Sequence, residues 1–272
     1  MNAPWSPTRP AVGTFVKLPA PEVVEVLAAA GLDFVIIDNE HASTGPQTVS
    51  TMIAIARGCG IAPFVRVPGH DPRDVQAPLD AGAAGLLLPH VDDAAQARSV
   101  VSACRFPPLG TRGVSNSGRA GGWGRSGLPA YLRAGNEQIV LVAQLESPTA
   151  MTNAGAIAST EGIDAVMIGP GDLAVTAGYG PADPRLHAMI TATEHACAQA
   201  GHTLGITAPD GAGAAERFTR GYRFVVVATD TALLARAVGQ TLTAVSGTNG
   251  RLRGRSGPPS PHRPAEHVGE HQ

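Results

Sequence analysis

The sequence predicts a single (β/α)8 barrel, on three observations. Eight short apolar segments alternate with longer amphipathic or alanine-rich segments between Gly13 and about Val245. The apolar segments lack the polar alternation of a strand with one solvated face, as parallel strands covered on both faces do. A length of 272 residues fits one such barrel. A doubly wound open sheet is the alternative, because a strand count does not prove closure.

The eight predicted strands are short, mostly continuously apolar and bounded by Gly, Pro or Asp, which is typical of buried parallel strands. They are Gly13–Leu18, Phe34–Asp38, Ala62–Val67, Gly85–Pro89, Val140–Leu145, Ala165–Ile168, Thr203–Ile206 and Phe224–Ala228.

The segments between these strands predict helices. In the first of them, Pro21 suits the first helical turn and Gly31 suits the position just past the last turn. The predicted helices include Pro21–Ala30, Gly45–Cys59, Pro72–Ala81, Ala94–Cys104, Arg185–Ala200 and Gly211–Thr219.

Three regions fall outside this alternation. Residues 1–12 form an N-terminal extension before the barrel domain of residues 13–245. The segment from Arg105 to Gly127 is rich in Gly, Pro, Ser and Arg and is long enough to be a binding loop or lid. Residues 246–272 are rich in Gly, Ser, Pro, Arg and His, which predicts a disordered tail.

Composition restricts the class of protein. Apolar residues make up 43% of the chain and charged residues 15%, with a net charge of -2, so a large core is expected. The folded part has no basic stripe, which argues against a nucleic-acid partner. No apolar stretch could span a bilayer, and Cys59, Cys104 and Cys197 are typical of reduced thiols, so we expect a soluble, cytoplasmic protein.

Ionisable residues follow several predicted strands. In a barrel the carboxyl ends of the strands converge on one mouth, where active sites lie. Charges gathered there are unfavourable unless they are neutralised, and two carboxylates with substrate oxygens suit Mg²⁺ or Mn²⁺. Glu146 and Asp172 are therefore candidate metal ligands. The alternatives are a salt bridge for Glu146 and a helix cap for Asp172.

Other polar residues at the mouth suit acid–base chemistry. His41 is a candidate general base or proton relay, and Asp38 or Asp80 could fix its tautomer. Asp80 also fits a surface position at a helix end. The guanidinium of Arg66 suits a carboxylate or a developing enolate oxygen, with an ion pair to Asp38 or Glu40 as an equal alternative.

Six segments in order carry a family pattern: Asp38-Asn39-Glu40-His41, Val65-Arg66-Val67-Pro68, Leu79-Asp80-Ala81-Gly82-Ala83, Phe106-Pro107-Pro108-Leu109-Gly110-Thr111-Arg112-Gly113, Gln144-Leu145-Glu146 and Ile168-Gly169-Pro170-Gly171-Asp172-Leu173. Together they resemble the HpcH/HpaI family of class II, metal-dependent aldolases, which are barrels of the phosphoenolpyruvate/pyruvate type. The resemblance runs from about Gly13 to Gln240.

The resemblance implies a role for each matching residue. Glu146 and Asp172 match the metal ligands, with Mg²⁺ or Mn²⁺ as the expected ion and Co²⁺ as a further candidate. His41 matches the acid–base histidine and Asp80 the aspartate associated with it. Arg66 matches the arginine that contacts pyruvate.

The resemblance also implies substrate contacts and an assembly. Asp38 matches a polar position of the second strand. Substrate-binding positions are Gln144 and the turn of Gly169, Pro170 and Gly171, whose backbone N–H groups would hold the pyruvate carboxylate. The family's barrels form homo-oligomers, expected here to be hexamers, that exchange their last helix, which would be Thr231–Thr243.

The implied function is the cleavage or formation of 4-hydroxy-2-oxo acids through a pyruvate enolate, with an aldehyde as the second partner. Pyruvate or another 2-oxo acid is the expected substrate. One alternative is decarboxylation of oxaloacetate through the same enolate. The other is a barrel subunit without catalytic activity.

Overall fold

The computed structural model describes residues 9–249, and these form a closed barrel of eight parallel strands. Each strand pairs with its neighbours in chain order, and the first pairs with the last. That closing pair excludes the open-sheet alternative. The predicted (β/α)8 barrel is confirmed.

All eight predicted strands are present, with ends that differ from the predicted ones by at most two residues. They are β1 (Ala11–Val16), β2 (Phe34–Asp38), β3 (Ala62–Arg66), β4 (Gly85–Leu88), β5 (Val140–Leu145), β6 (Ala165–Ile168), β7 (Leu204–Ala208) and β8 (Phe224–Thr229).

The helices alternate with the strands, and several loops contain an extra short helix. They are α1 (Glu22–Ala29), α2 (Pro46–Gly58), α3 (Pro72–Ala81), α4 (Ala94–Cys104), α5 (Leu128–Glu137), α6 (Pro148–Thr152), α7 (Ala154–Ala158), α8 (Pro170–Ala177), α9 (Pro184–Gln199), α10 (Gly211–Thr219) and α11 (Asp230–Asn249).

The ends of the chain differ from the predicted boundaries. The strand β1 begins at Ala11, two residues inside the predicted extension 1–12. The last helix, α11, runs to Asn249 and so includes the first four residues of the predicted tail 246–272. The rest of the tail lies outside the described residues. Within the described residues, 234–249 belong to a second compact unit, which carries exposed Leu234, Val238 and Leu242 at four-residue spacing along α11.

Within residues 9–249, no helix has the length and apolar character needed to cross a membrane. The three cysteines are free thiols, of which Cys104 and Cys197 are buried and Cys59 is exposed.

The amino-terminal half of the barrel interior is filled by aromatic rings seated on glycines. Phe34 packs edge-on against Phe64 and Phe224, with ring centroids 5.9 and 6.2 Å apart. Each ring has a glycine as its register partner on a neighbouring strand. The pairs are Gly13 with Phe34, Phe64 with Gly85, and Gly205 with Phe224. A side chain at any of these glycines would overlap the ring beside it. These rings and glycines thus fill the amino-terminal end of the barrel interior, which we call its floor.

We expect Gly205→Ala to destabilise the protein by about 1–3 kcal/mol, because the added methyl group overlaps the Phe224 ring in a packed interior. Chemical denaturation measures the change in the free energy of unfolding. Gly155→Ala in α7 is the matched control, since nothing lies within 4 Å of its added methyl group. Equal unfolding free energies for the two variants would contradict the packing described.

Candidate active site at the carboxyl ends of the strands

The interior of the barrel changes from apolar to polar toward the carboxyl ends of the strands. Side chains alternate in and out along a strand, so every second residue faces the interior. In β2 the inward series is Phe34, Ile36 and Asp38, and the interior cluster contains the first two. By the same alternation Arg66 follows Phe64 in β3, and Gln144 follows Val142 in β5. These polar residues form the mouth of the barrel.

Asp38 is fully buried and lies between two cations. Its carboxylate accepts hydrogen bonds from Arg66 Nε (3.0 Å) and Arg66 Nη2 (2.7 Å), and Lys17 Nζ lies 3.2 Å away. The backbone N–H groups of Glu40 and His41 also donate to it, both at 3.2 Å. Burial alone would raise the pKa of Asp38, but the Arg66 and Lys17 charges and these hydrogen bonds outweigh it and hold that pKa below its usual value. Asp38 is therefore an anion here.

Arg66 is bound on two sides by carboxylates. Its Nη1 lies 3.1 Å from Glu40 Oε2, and the guanidinium stacks over the Phe15 ring at 4.7 Å. The ion-pair alternative for Arg66 is thus present in the structure. Two of the five guanidinium N–H groups donate to Asp38, and Nη1 is ion-paired with Glu40 without a hydrogen bond. Beyond these three contacts, two N–H groups are left for a substrate oxygen.

Glu146 is buried, and donors contact both of its oxygens. Its Oε1 accepts from the His90 backbone N–H at 2.7 Å and contacts His90 Nδ1 at 2.8 Å, while Gln144 Nε2 donates to Oε2. Burial raises the pKa of Glu146, and the nearby charges of Asp172 and Glu40 add to that effect, against the lowering effect of His90. The site concentrates negative charge around this carboxylate.

Asp172 lies in the first turn of α8, which packs beside Glu146. A side chain at Gly169 would come within 3.2 Å of Gln144 Nε2 and 3.4 Å of Glu146 Cβ, so the glycine allows this approach. Asp172 is exposed, whereas Glu146 is buried. The Asp172 charge contributes to the raised pKa of Glu146, so the two predicted metal ligands lie close enough to interact electrostatically.

The turn before α8 differs from the predicted carboxylate cradle. The Gly169 N–H donates to Leu145 O at 3.0 Å, and Pro170 has no N–H group. Of the predicted turn from Gly169 to Asp172, the N–H groups of Gly171 and Asp172 are therefore the ones left for a carboxylate. The N–H groups of Gly171 and Asp172 lie in the first helical turn, where no intrahelical acceptor exists, and the helix dipole there favours an anion.

The residues of the mouth suit a divalent cation. Contacts through Arg66 and His90 join the carboxylates of Asp38, Glu40 and Glu146, and the Asp172 charge acts on Glu146. Lys17 and Arg66 are the lysine and arginine that contact carboxylates in this group of four. Two negative charges remain in excess. Within residues 9–249 no three His, Cys, Asp or Glu side chains form a ready metal cluster, so the remaining ligands of an ion held by Glu146 and Asp172 would be substrate and water oxygens.

His41 lies at the mouth, but its partner differs from those predicted. The nearest carboxylate to its ring is Glu40, whose Oε2 lies 3.7 Å from Nε2, and Asp38 contacts only its backbone N–H. Asp80 instead accepts from Arg112 Nη2 at 2.6 Å and from the Tyr131 hydroxyl at 3.2 Å.

Among the described contacts within this chain, Asp80 and His41 are not brought together. Asp80 lies in α3 and not at a strand end. Its side chain is ion-paired with Arg112, which is buried beside it. The carboxylate nearest to the His41 ring is therefore that of Glu40, which lies in the same loop after β2.

The observed contacts of three contributors to the site, Lys17, Glu40 and His90, were not fully predicted from the sequence: Lys17 had no role, Glu40 was named only as an ion-pair partner of Arg66, and His90 only as a residue near the mouth. Each follows the carboxyl end of a strand, which is the same signal that singled out Asp38 and Arg66. Their pairings depend on side-chain conformation across neighbouring strands, and a linear sequence does not show that.

The long loop between α4 and α5 forms the wall of a cavity beside α2 and α3. The cavity has a volume of about 380 Å³ and is lined by Asn39, Asp80, Arg119 and Trp123 among others. Trp123 is mostly exposed and stacks with the Arg119 guanidinium at 5.4 Å. Asn39, which directly follows Asp38 in the sequence, is part of the wall of this cavity.

Comparison with known proteins agrees with this geometry. The family model described as HpcH/HpaI aldolase/citrate lyase matches residues 11–237. The chain is 38% identical over 255 residues to a 4-hydroxy-2-oxo-heptane-1,7-dioate aldolase of Salmonella typhimurium, covering 92% of this chain and 95% of that relative.

Solved structures give the same result. An HpcH/HpaI aldolase/citrate lyase family protein from Burkholderia cenocepacia is 33% identical, with a TM-score of 0.83 over 87% of this chain and 95% of that one. An HpcH/HpaI aldolase from Desulfitobacterium hafniense is 29% identical, with a TM-score of 0.82 over 88% and 93%. With the closed barrel and the carboxylates at its mouth, these matches show that the chain belongs to the HpcH/HpaI aldolase/citrate lyase family.

Proposed function

We propose that this protein is a metal-dependent aldolase that cleaves or forms 4-hydroxy-2-oxo acids through the enolate of pyruvate or another 2-oxo acid. The observation that carries the proposal is the excess negative charge of Glu146 and Asp172, at the same barrel mouth as Arg66 and the N-terminus of α8. The carboxylates suit a hard cation, and the adjacent N–H donors suit the carboxylate and oxo groups of a 2-oxo acid.

Glu146 and Asp172 would hold the ion, with Mg²⁺, Mn²⁺ or Co²⁺ as candidates. When bound, the ion supplies Lewis-acid chemistry at the substrate's oxo oxygen, which stabilises the charge left on the 2-oxo acid when the carbon–carbon bond breaks.

The chain's own donors would orient the 2-oxo acid. Gly171 and Asp172 present N–H groups at the positive end of α8, which favours the substrate carboxylate. The two remaining N–H groups of Arg66 suit the C2 oxygen, where negative charge develops. Asp38 holds the Arg66 guanidinium in a fixed orientation, so it acts as a positioning residue. Gln144 contributes by restraining Glu146.

His41 would handle the proton. In the cleavage direction it accepts the proton of the C4 hydroxyl group as the C3–C4 bond breaks and the aldehyde departs, and the electron pair of that bond delocalises from C3 to the C2 oxygen. Protonation of C3 then gives pyruvate. The His41 ring is half exposed at the mouth, and Glu40 Oε2 lies 3.7 Å from its Nε2.

Assembly and location are part of the same proposal. We propose a homo-oligomer because α11 carries an exposed apolar stripe that includes Leu234, Val238 and Leu242. The hexamer is the form that the family resemblance implies. The free thiols of Cys59, Cys104 and Cys197 support a cytoplasmic location. We propose that the loop between α4 and α5, which lines the cavity together with Trp123, determines which aldehyde is accepted.

We expect Glu146→Gln to lower the affinity for Mn²⁺ by more than about 100-fold, because the change removes a charged ligand and not only an outer contact. Isothermal titration calorimetry measures the affinity, and pyruvate release from a 4-hydroxy-2-oxo acid should fall with it. Glu161→Gln is the matched control, since Glu161 is exposed at the start of the loop that precedes β6. Unchanged Mn²⁺ binding by Glu146→Gln would remove Glu146 from the ligand set.

We expect His41→Asn to lower the rate of cleavage by about 10²–10⁴-fold while Mn²⁺ affinity stays near that of the unmodified protein, because a general base is lost and no ligand is. Steady-state kinetics of pyruvate release gives the rate. His195→Asn, a change at an exposed position of α9, serves as the control. Full activity in His41→Asn would exclude the proton-transfer role.

A further inference from the structure

His90 has an unusual position for an exposed histidine. It follows β4 at the mouth of the barrel, and its side chain is 67% exposed. Its backbone has a positive φ of 55°, in the left-handed region that non-glycine residues rarely adopt. Exposure to solvent does not explain this backbone conformation, whereas the contacts that His90 makes do explain it.

The left-handed backbone lets one residue contact one carboxylate oxygen twice. The His90 N–H donates to Glu146 Oε1 at 2.7 Å, and the ring Nδ1 lies 2.8 Å from the same oxygen. Gln144 Nε2 donates to the other oxygen. One hydrogen bond to each oxygen therefore restrains the Glu146 carboxylate, and the ring Nδ1 adds a close polar contact to Oε1. Glu146 is thereby held in one rotation.

The second ring nitrogen of His90 contacts a different carboxylate. Nε2 lies 3.0 Å from Glu40 Oε1, and the other oxygen of Glu40 lies 3.1 Å from Arg66 Nη1. One imidazole therefore stands between two like charges that would otherwise repel each other. The result is a continuous series of contacts from Glu146 through His90 and Glu40 to Arg66.

We propose that His90 is a positioning residue for Glu146, which fixes the orientation of that carboxylate and so sets the affinity of the site for a divalent cation. The inference rests on the proposed role of Glu146 as a metal ligand. Residues that hydrogen-bond a metal ligand fix its orientation, and their loss weakens metal binding by about 10–100-fold.

The test is isothermal titration calorimetry of Mn²⁺ into the full-length protein without substrate, with His90→Ala, His90→Phe and His90→Asn compared with the unmodified chain. We expect His90→Ala and His90→Phe to weaken binding by about 10–100-fold. Phe keeps a ring of similar size without nitrogen atoms, so it separates the lost contacts from lost packing. His90→Asn should bind more tightly than either, because its amide can donate near the Nδ1 position and Asn tolerates the left-handed backbone.

Thermal unfolding of the metal-free variants shows that each is folded, and His195→Asn is the matched surface control. Mn²⁺ affinities of His90→Ala and His90→Phe equal to that of the unmodified protein would overturn the positioning role alone. No Mn²⁺ binding by the unmodified protein would overturn the proposed function and this inference with it. Equal weakening of Mn²⁺ binding in all three His90 variants would show that the Asn amide cannot replace the imidazole. That result would contradict a positioning role for the contact between Nδ1 and Glu146.

Discussion

The balance of charge at the barrel mouth is the constraint on which the rest of the site depends. The side chains of Asp38, Glu40 and Glu146 are buried at the carboxyl ends of β2 and β5, where an unpaired carboxylate is strongly unfavourable. Arg66 and Lys17 neutralise Asp38 and part of Glu40. Among residues 9–249, neutral donors and His90 contact Glu146, but no lysine or arginine does. This asymmetry separates a structural ion pair from a site that favours a cation.

The fold produces that asymmetry by simple means. The strands that carry aromatic rings and glycines at their amino ends carry polar residues at the same inward positions two or four residues later, as Phe34 and Asp38 do in β2 and Phe64 and Arg66 do in β3. The packed floor keeps water out from below, so interactions at the mouth operate in a partly desolvated environment. The charged residues of the mouth are therefore held by the ends of rigid strands.

The sequence was sufficient for the fold and for the principal charged residues. Continuous apolar runs located every strand within two residues, and the strand-end rule identified Asp38, Arg66, Glu146 and Asp172. It was insufficient for pairings. That Asp80 contacts Arg112 rather than His41, that the Gly169 N–H is already bonded to Leu145 and that His90 spans two carboxylates all depend on three-dimensional conformation. The helix α5 was missed because the Gly- and Pro-rich segment before it resembles an extended loop.

The central claim is that Glu146 and Asp172 share one cation beside a bound 2-oxo acid. A crystal structure of the protein with Mn²⁺ and pyruvate tests it most directly. The account predicts one ion with an oxygen of each carboxylate at about 2.0–2.3 Å, and the pyruvate carboxylate within hydrogen-bond distance of the Gly171 and Asp172 N–H groups. An ion bound without Glu146 or Asp172, or pyruvate bound away from this mouth, would contradict it.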